Sequence, residues 1–115
     1  MRLFLGKEYE NLLLVDFICH GVPSEKIWLK YLKDVAEGTR VSSVSFRDKN
    51  DGWKNYSVKI DSGAGEYRCL FSKDPYMKLF LSDNILRPSC YNCPAKGNNR
   101  FADITIADAW GMDNE

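Results

Sequence analysis

The sequence predicts an α/β (α+β) domain in which a mixed β-sheet, with an antiparallel meander of three strands, is covered by two helices. Three observations lead to this fold class. A near-continuous apolar run over residues 11–18 is typical of a strand covered on both faces. Two amphipathic segments carry helix start and stop signals. Between them, three segments alternate apolar and polar residues, with turns rich in Gly, Asp and Ser separating them.

The first predicted strand ends next to Cys19, in the segment Cys19-His20-Gly21. Ligands gather at the carboxyl ends of strands in α/β sheets, so Cys19 is a candidate ligand. A buried apolar cysteine is the alternative. His20 is the only histidine. A structural hydrogen bond is the alternative to its binding a metal.

The first helix is predicted to start after Ser24 as N-cap and to run to about Glu37, with Gly38 as its stop. Its apolar stripe contains Ile27, Trp28, Tyr31, Leu32 and Val35. The three strands of the meander are then expected over residues 40–46, 53–60 and 66–71. Their alternation places Tyr56, Val58 and Ile60 on one face, and Tyr67, Cys69 and Phe71 on one face. Cys69 is therefore assigned to the core.

The second helix begins at Asp74, an N-cap followed by proline, and ends near Asp83. A last strand over residues 103–106 leads to a terminal Asp108-Ala109-Trp110-Gly111. At the N-terminus, residues 1–6 have the pattern of the last turn of a helix, but no helix start signal precedes them in the sequence. We therefore expect residues 1–115 to be one domain, truncated at its N-terminus, of a larger protein.

Cys90 and Cys93 form a Cys-x-x-Cys pair between Pro88 and Pro94. Two thiolates at this spacing can bind one metal ion or two corners of an iron–sulfur cluster. A chance pair of small buried residues is the alternative. With Cys19 they make three sulfur ligands, one short of a four-coordinate site.

The charge and hydropathy of the chain exclude several partners. The 16 basic and 16 acidic residues balance, and no block has a single sign, so nucleic acid is not expected as a partner. No apolar run reaches the roughly 18 residues that span a bilayer, and no export signal is present. The protein is therefore expected in the cytoplasm, where cysteines serve metal binding rather than disulfides.

Other candidate residues leave alternatives open. Trp53 and Trp110 each lie beside a glycine and could wall a planar cofactor, or simply pack at strand ends. Asp103 and Asp108 fall on opposite faces of a regular strand, which argues against an acid–base pair. No Ser-His-Asp set, phosphate loop or His-Glu-x-x-His motif is present in the sequence.

Four separated blocks of sequence carry a family resemblance. They are residues 16–24 (DFICHGVPS), 46–54 (FRDKNDGWK), 86–93 (LRPSCYNC) and 102–111 (ADITIADAWG). In this order they closely resemble the C-terminal domain of the coenzyme F420 hydrogenase/dehydrogenase beta-subunit family.

The resemblance implies an iron–sulfur flavoprotein that moves electrons between a 4Fe-4S cluster and FAD. Its electron acceptor would be the deazaflavin coenzyme F420 or another molecule. It implies Cys19, Cys90 and Cys93 as cluster ligands, with a fourth cysteine upstream of Met1, and leaves Cys69 outside the site. The flavin side is assigned, from motif membership and chemical type, to Arg47, Trp53, Lys54 and Trp110.

The implied partners are electron-donor or electron-acceptor proteins, such as ferredoxin-like clusters or a hydrogenase/dehydrogenase subunit. The chain alone, with three thiolates, is not expected to turn over. Two rival hypotheses remain. One is a structural zinc domain that uses Cys19, His20, Cys90 and Cys93. The other is a module that docks a partner and holds no cofactor.

Overall fold

A computed structural model describes residues 6, 9–50, 52, 54–97 and 102–108. The chain divides into two compact units. Unit 1 comprises Met1–Cys19 with Asn92–Glu115, and unit 2 comprises His20–Tyr91. The predicted helix end over residues 1–6 falls almost wholly outside the described residues.

Unit 1 is built on a pair of short parallel strands, β1 (Val15–Phe17) and β5 (Ile104–Ile106). Val15 lies opposite Ile104 and Phe17 opposite Ile106, so these four side chains share one face. Each of them is 47% to 67% exposed. The prediction that this strand is covered on both faces is therefore wrong for the described residues. Helices cover the faces of a parallel sheet in α/β domains, and the described residues of unit 1 include no helix.

Unit 2 begins with helix α1 (Glu25–Val35), close to its predicted bounds. Ser24 occupies the N-cap in an extended conformation, although its side chain makes no capping hydrogen bond. The stop at Gly38 is confirmed, because this residue has a φ of +72° and its N–H donates to the oxygen of Lys33.

The predicted antiparallel meander is confirmed as strands β2 (Val41–Asp48), β3 (Ser57–Ser62) and β4 (Gly65–Leu70), in that order. The inward face of the middle strand is also as predicted, since Val58 and Ile60 are fully buried. Val58 pairs with Cys69, and Ile60 pairs with Tyr67.

Two further helices complete unit 2. Helix α2 (Pro75–Leu81) follows the predicted Asp74 N-cap. Helix α3 (Pro88–Tyr91) is a single turn that was not among the two predicted helices. The core of the unit contains Tyr31, Tyr56, Val58, Ile60, Tyr76, Met77 and Ile85. The α/β class is therefore confirmed. None of the helices in the described part of the chain has the length and apolar character that a membrane crossing requires.

Candidate metal centre

Within unit 2, the segment that follows Cys19 in sequence is paired with the segment that precedes Cys90. The N–H of Ser24 donates to the oxygen of Ile85 at 2.7 Å, and the N–H of Arg87 donates to the oxygen of Val22 at 2.8 Å. An antiparallel bridge joins the residues between them. Two stretches more than sixty residues apart in sequence are thus held together by backbone hydrogen bonds.

This pairing places Cys90 against the backbone of Val22. Cys90 is 8% exposed, and its Sγ accepts a hydrogen bond from the N–H of Val22 at 3.3 Å. The same Sγ lies 3.9 Å from the oxygen of Val22. The N–H of Cys90 donates to the oxygen of Arg87 at 2.9 Å, where helix α3 begins. Hydrogen bonds with the backbone therefore hold both the sulfur and the amide nitrogen of Cys90.

Gly21 makes the close approach of the two segments possible. Its φ is +142°, a conformation that side-chain-bearing residues rarely adopt. A Cβ built at this position would lie 2.8 Å from Cδ1 of Leu86. Only a residue without a side chain therefore fits here without displacing the buried Leu86.

The other two candidate cysteines belong to unit 1. Cys19 is exposed, so the alternative of a buried apolar cysteine is wrong for it. Cys93 is half-buried, and its carbonyl oxygen accepts a hydrogen bond from the N–H of Lys96 at 3.0 Å. Because Cys90 belongs to unit 2, the convergence of the three sulfurs stays a prediction. Among the described residues, no three His, Cys, Asp or Glu side chains form a group that could hold a metal ion.

His20 has a structural hydrogen bond. Its Nε2 lies 2.8 Å from the oxygen of Phe80 and 3.3 Å from Oδ1 of Asp83. Its ring contacts the Phe80 ring, with 4.6 Å between centroids. A carbonyl oxygen only accepts hydrogen bonds, so Nε2 carries the proton and Nδ1 is the nitrogen left for any metal. The structural hydrogen bond of His20 is therefore present, and its role as a metal ligand stays a hypothesis.

The structure describes two of the four residues that were assigned to the flavin side. Arg47, on β2, and Lys54, between β2 and β3, are both exposed. The Arg47 guanidinium lies 5.6 Å from the ring centroid of Tyr56. Trp53 and Trp110 lie outside the described residues. The assignment of these four residues stays a prediction.

Cys69 is half-buried on β4 opposite Val58, in keeping with its assignment to the core. An apolar pocket of about 180 Å³ was not predicted from the sequence. Its lining consists of Pro23, Phe46, Tyr76, Met77 and Phe80. These residues come from three separate segments, so no local pattern in the sequence marks the pocket.

A buried carboxylate in unit 2 was also missed. Asp74 is fully buried, and its Oδ2 accepts hydrogen bonds from the hydroxyls of Tyr31 at 2.6 Å and Tyr67 at 2.9 Å. Its Oδ1 caps helix α2 by accepting from the N–H of Met77 at 2.8 Å. The Asp-Pro signal predicted the cap. The two tyrosines lie on other elements, so no local pattern predicted that they donate to Asp74. Burial, together with the hydrogen bond to Asp74, raises the pKa of both tyrosines.

Fold and cysteine placement together define a class: an α/β domain with one thiol following a parallel strand and a Cys-x-x-Cys pair that starts in a helical turn. The family model for the C terminus of the coenzyme F420 hydrogenase/dehydrogenase beta subunit matches residues 2–115. The chain therefore belongs to this family, and membership is consistent with a subunit of an oxidoreductase. Comparisons with curated proteins and with solved structures gave no match.

Proposed function

We propose that the intact protein is an iron–sulfur flavin oxidoreductase that transfers electrons between a 4Fe-4S cluster and FAD. In this proposal, Cys19, Cys90 and Cys93 supply three of the cluster's four thiolates. Membership of the family supports the oxidoreductase class. The observation that carries the cluster assignment is the buried Sγ of Cys90, which accepts the N–H of Val22.

The chemistry of the donor set fits an iron–sulfur cluster. Thiolate is the ligand that such clusters take, and backbone N–H groups that donate to ligand sulfurs are a recurrent part of their surroundings. A thiolate at the buried position of Cys90 would lose hydration. A metal bound at Cys90 offsets that cost.

The flavin is proposed to contact Arg47, Trp53, Lys54 and Trp110. FAD supplies the exchange between one-electron and two-electron transfers when it is bound. The cationic side chains of Arg47 and Lys54 are exposed, which leaves them accessible to the phosphate groups of a dinucleotide. The two tryptophans offer faces on which a planar ring can stack.

We propose coenzyme F420, or another acceptor, as the molecule that exchanges electrons with the flavin. The partner is proposed to be a protein that delivers or removes electrons, either a ferredoxin-like cluster protein or a hydrogenase/dehydrogenase subunit. The protein is proposed to act in a reducing compartment such as the cytoplasm, where cysteines serve metal binding rather than disulfides.

Purification of the intact protein without oxygen tests the proposal. We expect a brown protein with broad absorbance in the blue and with bound iron, sulfide and flavin. Cys90→Ser should remove most of the iron, whereas Cys69→Ser, the matched control, should retain it. A colourless, iron-free intact protein would contradict the cluster.

The zinc hypothesis needs His20 as its fourth ligand. The contacts of Nε2 with the Phe80 oxygen and Asp83 leave Nδ1 as the nitrogen that this set would use. Stoichiometric zinc without visible absorbance would favour it. If the intact protein binds neither metal nor flavin, the hypothesis of a docking module is the one that survives.

A further inference from the structure

We propose that the apolar pocket of unit 2 binds a small uncharged molecule that consists of one aromatic ring with a hydroxyl or carbonyl oxygen, such as a phenol. The pocket has a volume of about 180 Å³. An engineered apolar cavity of about 150 Å³ in another protein binds one benzene ring. The volume therefore admits a single ring with a small substituent. None of the lining residues belongs to the sets proposed for the cluster or the flavin, so the inference does not depend on the proposed function.

The walls of the pocket suit an aromatic ring. The lining consists of Pro23, Phe46, Tyr76, Met77 and Phe80. Three of these residues are aromatic, and a fourth is methionine, whose sulfur makes favourable contacts with rings. None of the five carries a charge. A charged ligand would lose its hydration here without gaining an ion pair, so the lining favours an uncharged one.

Contacts with the rest of unit 2 hold the walls in place. The ring of Tyr76 stacks on that of Tyr31, with 5.0 Å between centroids and an angle of 22° between the ring planes. Tyr31 is itself held by its hydrogen bond to Asp74. The Phe46 ring lies 5.1 Å from the Trp28 ring, centroid to centroid. Because these walls are already ordered, little conformational entropy is lost when a ligand binds.

The pocket has a buried floor and an exposed edge. Tyr76 is 4% exposed and Met77 is 6% exposed, whereas Phe46, on β2, is 40% exposed. A ring that enters beside Phe46 can therefore place most of its surface against buried side chains. The removal of apolar surface from water is the main favourable term for such a ligand.

The hydroxyl of Tyr76 favours a ligand that carries an oxygen atom. In the part of the chain that the structure describes, this hydroxyl has no hydrogen-bond partner, although the residue is almost fully buried. Burial raises the pKa of Tyr76, whereas hydrogen bonds to Asp74 also raise those of Tyr31 and Tyr67. Buried tyrosine hydroxyls usually have a partner. A ligand oxygen in the pocket that Tyr76 lines would supply one.

The test follows the methyl group of Met77 by NMR in the intact protein, labelled with ¹³C at the methionine methyl groups. Met77 lines the pocket, so an aromatic ring bound there shifts its signal, which Met77→Leu assigns. The first probe is phenol. Toluene has nearly the same size and shape but no oxygen, and benzoate has the same ring with a negative charge.

We expect phenol and toluene to shift the Met77 signal until the site is saturated. Phenol should bind about fivefold more tightly than toluene, because one hydrogen bond contributes a factor of this order. Benzoate should bind at least about tenfold more weakly than phenol. Tyr76→Phe should remove the advantage of phenol and leave the affinity for toluene unchanged. This variant is expected to fold, since the hydroxyl that it loses has no partner among the described residues.

A pair of variants on β2 locates the site. Phe46→Ala removes part of a wall and should weaken the binding of both phenol and toluene by about tenfold. Val44→Ala is the matched control, because Val44 lies on the same strand, is 37% exposed and is not part of the lining. It should bind both probes like the wild type. If Phe46→Ala fails to fold by circular dichroism, Phe46→Leu takes its place, with a smaller loss of affinity expected.

Several results would overturn the inference. If neither phenol nor toluene shifts the Met77 signal up to its limit of solubility, the pocket binds no such ring. Benzoate that binds as tightly as phenol would contradict an uncharged ligand. Equal affinities of the wild type for phenol and toluene would contradict a ligand oxygen, and an advantage of phenol that persists in Tyr76→Phe would contradict the role of that hydroxyl.

Discussion

The hydroxyl of Tyr31 on helix α1 donates a hydrogen bond of 2.6 Å to Oδ2 of Asp74, the fully buried N-cap of helix α2. The same oxygen accepts from Tyr67 on β4. One carboxylate thus ties two helices and the meander together. Its removal leaves two hydroxyls and one helix N–H without this acceptor.

Asp74→Ala is expected to lower the free energy of unfolding by about 3 kcal/mol or more, because a cap contributes about 1 kcal/mol and each buried group that loses its partner costs about 1–3 kcal/mol. Tyr31→Phe should cost less, about 1–2 kcal/mol, since Tyr67 and Met77 still donate to Asp74. Asp34→Ala, on the exposed side of α1, is the control and should change little. Urea denaturation measures all three. Equal stability of Asp74→Ala and Asp34→Ala would contradict the role of the carboxylate.

Stability is expected to fall at alkaline pH. Burial, followed by the hydrogen bond to Asp74, raises the pKa of Tyr31 above its usual value near 10. The unfolded state therefore loses this proton at a pH where the folded state keeps it. The stabilisation is complete below the unfolded pKa and is lost as pH rises toward the folded one.

The expected slope is about −1.4 kcal/mol per pH unit above pH 10 for Tyr31 alone. Tyr67, whose pKa is raised by the same causes, adds to the slope. Denaturation between about pH 9 and 11.5 measures this slope, and Tyr31→Phe should make it shallower. An unchanged slope in that variant would assign the alkaline loss to other groups.

Gly21→Ala is expected to destabilise the protein by about 2–3 kcal/mol. The change combines a strained φ with a Cβ placed 2.8 Å from Cδ1 of Leu86. Gly38→Ala is the matched control, because Gly38 has a φ of +72° but a Cβ added to it would meet no atom within 4 Å. It should cost about 1 kcal/mol, from backbone strain alone. Thermal denaturation compares the pair, and an equal loss in both would rule out a contribution from Leu86.

Ile60→Ala is expected to cost about 3–4 kcal/mol, since the side chain is fully buried at the centre of the meander and leaves a cavity. Ile27→Ala, at a position 37% exposed on α1, is the control and should cost less than about 1 kcal/mol. Chemical denaturation measures the free energy of unfolding of both variants, and the comparison is valid when their m-values equal that of the wild type. A small loss at Ile60 would show that the neighbouring side chains collapse into the space.

Much of the local structure follows from residues close together in the sequence. Alternation over Tyr56, Val58 and Ile60 predicted the buried face of the meander, and the Asp74-Pro75 pair predicted the start of a helix. These patterns act over a few residues, because strand faces repeat every two residues and a cap needs one side chain beside the first turn. The four sequence blocks likewise carried the family resemblance, which the family model confirms.

Contacts between distant residues were decided only by the tertiary structure. The meeting of Tyr31 and Tyr67 at Asp74 joins three elements, and the donation from Val22 to Cys90 spans 68 positions. Patterns of a few residues report which face of an element is apolar, but not which partner covers that face. The chain alone therefore determined its class, its family and its candidate ligands. The folded arrangement decided which amide meets which sulfur, because only packing brings such separate segments together.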